Sequence, residues 1–315
     1  MIPMRAKKAN YRNEVIGLAF ASPWIVGLLV FGIYPIVASF YFSFCHYNMM
    51  RPPKFIGWEN YRQLLTRDPL FWKSLWNTGW LMAVALPLQL GCALLAAMLL
   101  NQRVKGLAFF RTVFYIPTLV PAVATGVVWL WLLNPEYGIA NAILSALGIH
   151  GPGWMTDPRW SKPALALVGV WGMGGTMVIF LAGLQQVPRS LYEAAVVDGA
   201  NALQRFRHVT IPMLSPVIFF NLIMGIIGSF QYFTQVYVMS AGMGSGTSGL
   251  GGQGLGGPEA STLVYPLYLY QNAFLFFRMG YASAMAWILF LLIAGLVAVV
   301  FRTAGWVHYE SKGDS

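Results

Sequence analysis

The stretch LYEAAVVDGANALQRF (residues 191–206) is polar, charged and interrupted by glycine, yet it lies between the long apolar runs 163–184 and 212–239. Apolar runs of this length are typical of membrane spans. A short polar segment that carries helix start and stop signals between two such runs predicts a folded element at a membrane surface. The rest of the chain determines which membrane and what the element does.

The overall composition indicates an integral membrane protein. Of 315 residues, 57% are hydrophobic and 10% are charged, and the mean hydropathy is +0.61. A soluble domain carries about 25% charged residues. The net charge of +10 comes from Lys and Arg that stand in short groups beside the apolar runs. Juxtamembrane charges have this distribution, so we exclude nucleic acid as a partner.

Six apolar segments are long enough to cross about 30 Å of hydrocarbon at about 1.5 Å per residue. They are 15–43, 76–100, 110–133, 163–184, 212–239 and 281–302. The predicted fold is therefore all-α and polytopic. It consists of an N-terminal tail (1–14), a six-span domain (15–302) and a C-terminal tail (303–315).

The basic N-terminus precedes an apolar run that continues through residues 23–42, too long for the core of a signal peptide, so we predict an uncleaved first span. Prolines inside the predicted spans predict kinks. These are Pro35, Pro87, Pro117 and Pro121.

The distribution of Lys and Arg predicts that both termini are cytoplasmic. These residues are denser in the segments that this orientation places inside, although the predicted outside loop 44–75 is also basic. On this topology residues 191–206 face the cytoplasm, and the loops 134–162 and 240–280 face outward. The Gly-rich part of the last loop, 242–257, is predicted to be flexible.

The sequence provides no source of transport energy and no catalytic centre. No acidic residue lies inside a predicted span, and Lys and Arg occur only at span ends, whereas proton-driven carriers commonly use intramembrane carboxylates or histidines. No Lys follows a Gly, so the chain has no Walker A motif. Two cysteines and four scattered histidines predict no metal site. We therefore expect neither an enzyme nor a proton-coupled carrier.

Residues 188–212 read as two short helices separated by a glycine turn. Ser190 and Glu193 have the spacing of a capping box, which predicts a helix that begins at Leu191. Gly199 predicts a left-handed stop. Asn201 with Gln204 predicts a second capped helix that ends near residue 208, before the next span begins at residue 212. From these signals alone, a helix pair packed on its own bundle and a docking element for another protein are equally possible.

The pattern E-A-A-x-x-D-G-A at residues 193–200 resembles the cytoplasmic loop of ABC importer permeases. FIGWENYRQLL (55–65), GGPEAST (256–262), YPLYLYQNAF (265–274) and MGYASAMAW (279–287) are similar, in order, to segments of the carbohydrate-type, MalF-like permeases. The resemblance covers nearly the whole chain. The chain is expected to lack the large extracellular domain that some members of this family carry.

The resemblance implies that the loop 185–211 couples the chain to an ATPase. The coupling residues would be Glu193, Ala194, Ala195, Asp198, Gly199, Ala200, Leu203 and Phe206. It also implies a second homologous permease, an ABC ATPase dimer, an extracytoplasmic solute-binding protein and a surrounding lipid bilayer in a prokaryotic inner membrane. This chain would bind no cofactor, because the ATPase would bind ATP and Mg²⁺.

In the family, sugar contacts lie on the spans before and after the coupling loop. Sugars suit surfaces on which aromatic rings face the apolar sugar face and amides or hydroxyls bind its OH groups. Such residues share a helix face in span five, and a similar patch occurs in span four. The predicted contacts are Gly225, Gly228, Ser229, Tyr232, Gln235, Trp171, Gly172 and Gly175. Small residues on one helix face equally indicate close helix packing.

Two alternatives remain open at this point. One is an importer of glycerol-3-phosphate or another polyol; a phosphorylated cargo would need basic residues along the pathway, which this sequence does not place inside the spans but a partner permease could supply. An ion-coupled carrier or channel would work without an ATPase. The substrate of the first hypothesis is a mono- or oligosaccharide.

Overall fold

The computed structural model describes residues 11–102, 105–242 and 256–307, with backbone alone for residues 11–15 and 242. The described chain is almost wholly helical. Its α-helices are α1 Tyr11–Gly27, α2 Tyr34–Ser43, α3 Glu59–Arg67, α4 Pro69–Leu100, α5 Leu107–Leu119, α6 Ala122–Leu132, α7 Ile139–Ala146, α8 Pro158–Trp171, α9 Gly174–Gln186, α10 Arg189–Val197, α11 Ala202–Arg205, α12 Ile211–Phe230, α13 Thr234–Gly242, α14 Tyr265–Tyr270 and α15 Met279–Arg302.

Short elements connect or extend these helices. They are the π-helical turns Leu28–Ile33, Phe206–Thr210 and Gln271–Leu275, the 3₁₀ turns Pro258–Ala260 and Ala304–Trp306, and the antiparallel strands β1 Cys45–His46 and β2 Lys54–Phe55. Most of the Gly-rich segment 242–257, predicted to be a flexible loop, lies outside the described residues, which omit 243–255.

The helices confirm an all-α fold with four to six membrane-spanning elements. Four helical segments are long and apolar enough to cross a membrane unaided: Ile16–Ser43, Pro69–Leu100, Ala202–Ala241 and Met279–Arg302. The other two predicted spans, 110–133 and 163–184, are broken instead of straight. The α5–α6 pair is bent by 103° and the α8–α9 pair by 50°.

The two bends are in contact with each other. Val120 is extended and Pro121 caps α6, because a proline following Val120 disfavours a continued helix. In the other bend, a Cβ on Gly174 would lie 2.5 Å from the carbonyl oxygen of Phe114 and 2.5 Å from Thr118 Oγ1 on α5. Only glycine permits this approach. The kink expected at Pro87, by contrast, produces no break, since α4 remains one helix across it.

Two helices begin earlier than predicted, and each brings a lysine into a spanning element. The Asp68 side chain accepts from the Phe71 amide (3.1 Å), so α4 begins at Pro69 rather than at residue 76. Asp157 likewise caps α8, which begins at Pro158. Lys73 and Lys162 lie near the beginnings of these helices, so both are still close to span ends.

Helix α4 packs against α8, α9 and α12, and its N-terminal cap is hydrogen-bonded to α14 and α15. Asp68 Oδ2 accepts from Tyr268 Oη (2.6 Å) and Tyr281 Oη (2.5 Å). Burial, and then the hydrogen bond to Asp68, raise the pKa of Tyr268 above its ordinary value. Tyr268 therefore remains a donor at any physiological pH.

Candidate functional site

A cavity of about 540 Å³ lies where the broken helices meet α4 and α12. It is lined by Leu81, Ala85, Leu86, Gln89, Leu90, Pro117, Thr118, Val120, Ala122, Thr125, Leu165, Val168, Gly169, Trp171, Gly172, Thr176, Asn221, Met224, Gly225, Gly228, Ser229, Tyr232 and Gln235. The wall thus combines aliphatic and aromatic surface with amides and hydroxyls. Both helix bends form part of it.

The structure brings together the predicted contacts of spans four and five, with one exception. The residues that line the cavity are Gly225, Gly228, Ser229, Tyr232, Gln235, Trp171 and Gly172. Gly175 lies outside the lining. Its backbone amide donates to Thr118 Oγ1 (3.2 Å), so it joins the two bends instead of facing the cavity.

Tyr232 and Gln235 line the cavity, but they do not lie on the continuous helix face that the sequence predicted. Helix α12 ends at Phe230 and α13 begins at Thr234, so Tyr232 lies in a non-helical break. The Tyr232 hydroxyl is buried and has no hydrogen-bond partner among the described residues. Ser229 Oγ, still within α12, donates to the Gly225 carbonyl (2.8 Å). The cavity wall therefore includes the ring of Tyr232 from the break and the side chain of Gln235 from the first turn of α13.

The two glycines of α12 serve different purposes. A Cβ on Gly225 would collide with Leu86 Cδ1 on α4, so this glycine permits close helix packing. A Cβ on Gly228 would meet no atom within 4 Å. Gly228 therefore leaves open space in the cavity wall, and the packing explanation applies to Gly225 alone.

Several polar cavity residues were missed by the sequence analysis. Gln89 and Asn221 line the cavity, and Asn221 Nδ2 donates to the Val217 carbonyl (2.8 Å), which leaves its oxygen available. Asn221 stands four residues before Gly225, on the same helix face, so extension of the predicted face by one turn would have found it. Gln89 is a polar residue within the apolar run of α4. No local pattern indicates Thr118 or Thr125, whose positions depend on the bend.

The glycine turn of residues 191–206 forms as predicted. Gly199 has φ +78°, its amide donates to the Val196 carbonyl (3.0 Å), and the Ala200 amide donates to the Ala195 carbonyl (2.8 Å). This pair of bonds is a Schellman motif. Asn201 and Gln204 form the predicted capping box, with bonds of 2.8 and 2.9 Å.

Two other local predictions are wrong. Helix α10 begins at Arg189 after Pro188, and Ser190 caps nothing, because it already lies inside the first turn. The second helix does not end near residue 208, since the π-helical turn Phe206–Thr210 continues it into α12. The Tyr192 and Thr210 hydroxyls are hydrogen-bonded (3.0 Å). Helix α10 is thus hydrogen-bonded to the π-helical turn that leads into α12.

Most of the predicted coupling residues lie on the surface. Glu193, Ala194, Asp198, Gly199 and Leu203 are exposed, and Ala195, Ala200 and Phe206 are half-buried. Among the described residues, neither Glu193 nor Asp198 forms an ion pair. Leu203 is 72% exposed and Val197 is 88% exposed. Val197 was missed as an apolar surface residue, although it directly precedes Asp198.

Comparison with known proteins gives a consistent match. Residues 89–308 match the family model "Binding-protein-dependent transport system inner membrane component". The probable ABC transporter permease protein YesP of Bacillus subtilis is 41% identical over 99% of this chain and 97% of its own length. The lactose transport system permease protein LacF of Rhizobium radiobacter is 36% identical over 92% of this chain and 94% of its own length.

A solved structure has the same fold. It is a bacterial ABC transporter involved in the import of the acidic polysaccharide alginate, with a TM-score of 0.77 and 20% identity. The match covers 93% of this chain and 96% of the solved chain.

Proposed function

Since the chain belongs to the family of inner membrane components of binding-protein-dependent transport systems, we propose that it is one half of the translocation pathway of an ATP-driven sugar importer. Membership makes it a multi-pass ABC transporter permease, which is a transport protein and not an enzyme. The proposed substrate is a mono- or oligosaccharide, as for the lactose permease relative.

The observation that carries the proposal is the composition of the cavity wall. Trp171 and Tyr232 supply aromatic surface, while Gln89, Asn221 and Gln235 supply amides. Aromatic rings bind the apolar face of a sugar, and amides bind its hydroxyls. A cavity of about 540 Å³ is within the range of small-molecule sites.

We assign the sugar contacts to Tyr232, Ser229, Gln235 and Trp171, with Gly228 and Gly172 providing room. The position of Tyr232 in the cavity wall supports its role, because its ring offers a surface on which the apolar face of a sugar can pack. Gly225 contributes to helix packing, and Gly175 is not proposed as a contact.

The coupling surface is proposed to insert into the ATPase subunit. Exposed Val197 and Leu203 offer apolar area for burial, and the Schellman turn at Gly199 fixes the direction of both helices. Because α11 continues into α12, movement of this surface would displace the helix that carries Gly228 and Ser229 in the cavity wall. The ATPase would bind ATP and Mg²⁺, and this surface would transmit its closure.

The complete importer would contain a second homologous permease, two ATPase subunits and an extracytoplasmic binding protein. Both termini of this chain would be cytoplasmic, which places the turn at Gly199 on the ATPase side. The cavity would alternate between the two sides as the ATPases close and open.

Uptake by the reconstituted transporter tests the assignment. We expect Tyr232→Ala and Gln235→Ala to raise the apparent KM for sugar about tenfold each, since the first loses a ring contact and the second a hydrogen bond, each worth about 1.5 kcal/mol. Gly175→Ala is the matched control: its new Cβ would lie 3.6 Å from Thr118 Cγ2, an ordinary contact outside the cavity. If both cavity variants transport sugar with normal KM and rate, the site lies elsewhere.

A further inference from the structure

Lys162 lies one helical turn from the cavity. On α8, Leu165 and Gly169 line the cavity, and Lys162 precedes them by three and seven residues on the same side of the helix. Three residues correspond to about 4.5 Å along the axis. The proposed topology places this end of the cavity on the extracytoplasmic side, where the binding protein would deliver the substrate.

The ammonium group of Lys162 is held in a defined position. Its Nζ donates to Asn77 Oδ1 (3.3 Å) and lies 5.6 Å from the centroid of the Trp80 ring. Asn77 is 1% exposed, and its Nδ2 donates to the carbonyls of Ala260 (2.9 Å) and Leu263 (3.0 Å). These two bonds fix the amide, so its oxygen must face the lysine.

Lys162 has no counter-charge within the described part of the chain. None of the carboxylates there approaches its Nζ within 4.0 Å, including that of Glu259, which directly precedes Ala260. An ammonium has three donors, and Asn77 accepts one. A half-buried cation in this state favours an anionic ligand.

We propose that Lys162 binds an anionic group of the transported sugar, so that the substrate class is an acidic saccharide that carries a carboxylate. This inference rests on the proposed sugar-import function and narrows it. The hydroxyls of the sugar would contact the cavity wall, and the carboxylate would accept hydrogen bonds from the two remaining donors of Lys162. Trp80 and Asn77 position the cation.

The test is ATP-driven uptake by the complete transporter in proteoliposomes. The probes are uronate oligosaccharides, their carboxyl-reduced neutral counterparts and common neutral oligosaccharides. Wild-type transporter should take up a uronate oligosaccharide. Lys162→Gln should raise the KM for that uronate by about 10- to 100-fold, the range for loss of a charged hydrogen bond, and should leave the KM for neutral sugars unchanged. Lys162→Arg should restore uronate uptake.

Arg159→Gln is the matched control, because it removes an equal charge from an exposed position on the same helix. It should leave uronate uptake unchanged. Three results would overturn the inference while importer function stands: wild-type uptake of neutral sugars only, no effect of Lys162→Gln on uronate uptake, or an equal loss for acidic and neutral sugars. If the wild-type transporter moves no saccharide of either kind, the proposed function fails as well.

Discussion

Replacement of Gly199 by valine should uncouple ATP hydrolysis from sugar uptake. Gly199 has φ +78°, and a Cβ there would meet no atom within 4 Å. The substitution therefore introduces no clash, and its cost arises from the backbone alone. A left-handed conformation costs an L-residue about 1–2 kcal/mol, and valine is among the least tolerant residues.

This cost is comparable to the stabilisation of the turn itself. The turn has two hydrogen bonds, Ala200 to Ala195 (2.8 Å) and Gly199 to Val196 (3.0 Å), worth about 0.5–1.5 kcal/mol each. A shift of about 1–2 kcal/mol changes the population of the native turn relative to other conformations by about 5- to 30-fold. Without the turn, α10 loses its fixed direction relative to α11. Sugar moved per ATP hydrolysed should fall by up to the same factor.

The assay measures phosphate release and labelled sugar uptake in the same proteoliposomes, with the membrane content of the chain quantified by blotting. Gly199→Asn is the control, because Asn tolerates the left-handed region without the side chain of valine. It should retain coupling close to that of the wild-type chain. A normal ratio of sugar to ATP for the valine variant would refute the coupling role of the turn, and an equally low ratio for both variants would refute the backbone explanation.

Two further predictions concern the scaffold. Gly174→Ala should destabilise the purified chain by about 1–3 kcal/mol, because its Cβ would meet backbone atoms of α5. Gly175→Ala, the control, should be nearly neutral. Equal melting temperatures for the two variants would contradict the close approach of the two bends. Asp68→Asn should lower the stability of the folded chain by about 1.5–3 kcal/mol, since the Asp68 carboxylate accepts two phenol hydrogen bonds. Glu59→Gln, which weakens an exposed 4.0 Å ion pair, should lower it by less than about 1 kcal/mol. Denaturant unfolding in detergent distinguishes these values, and a smaller loss for Asp68→Asn than for Glu59→Gln would exclude the role of that carboxylate.

Features that depend on neighbours in sequence were predicted from the sequence. The apolar runs gave the membrane class and the approximate spans, and the stop at Gly199 and the capping box at Asn201 formed at the predicted residues. These signals are local, because a helix end is satisfied by groups within a few residues. The predicted start of α10 is wrong because two local signals lie close together there. Ser190 competed with Pro188 for the start of α10, and the proline defined the start.

The cavity was predicted only in part, because helical periodicity does not include helix breaks. The face of α12 gave Gly225, Gly228 and Ser229 correctly as lining residues. Tyr232 does line the cavity, but not as part of a continuous helix face as predicted, since α12 ends at Phe230. Gly175 was misplaced, because nothing local distinguishes a glycine that faces a cavity from one that faces another helix.

The sequence alone therefore determined that this is a membrane protein, where its helices lie and what form its polar turn takes. It did so through overall composition and through contacts between residues that are near neighbours in the chain. Tertiary structure alone decided the close approach of the two bends and the environment of Lys162. Lys162 contacts Asn77, and Asn77 in turn binds the carbonyls of Ala260 and Leu263, far away in the chain. Such contacts form only when the helices pack, because the side chains involved have no local pattern that brings them together.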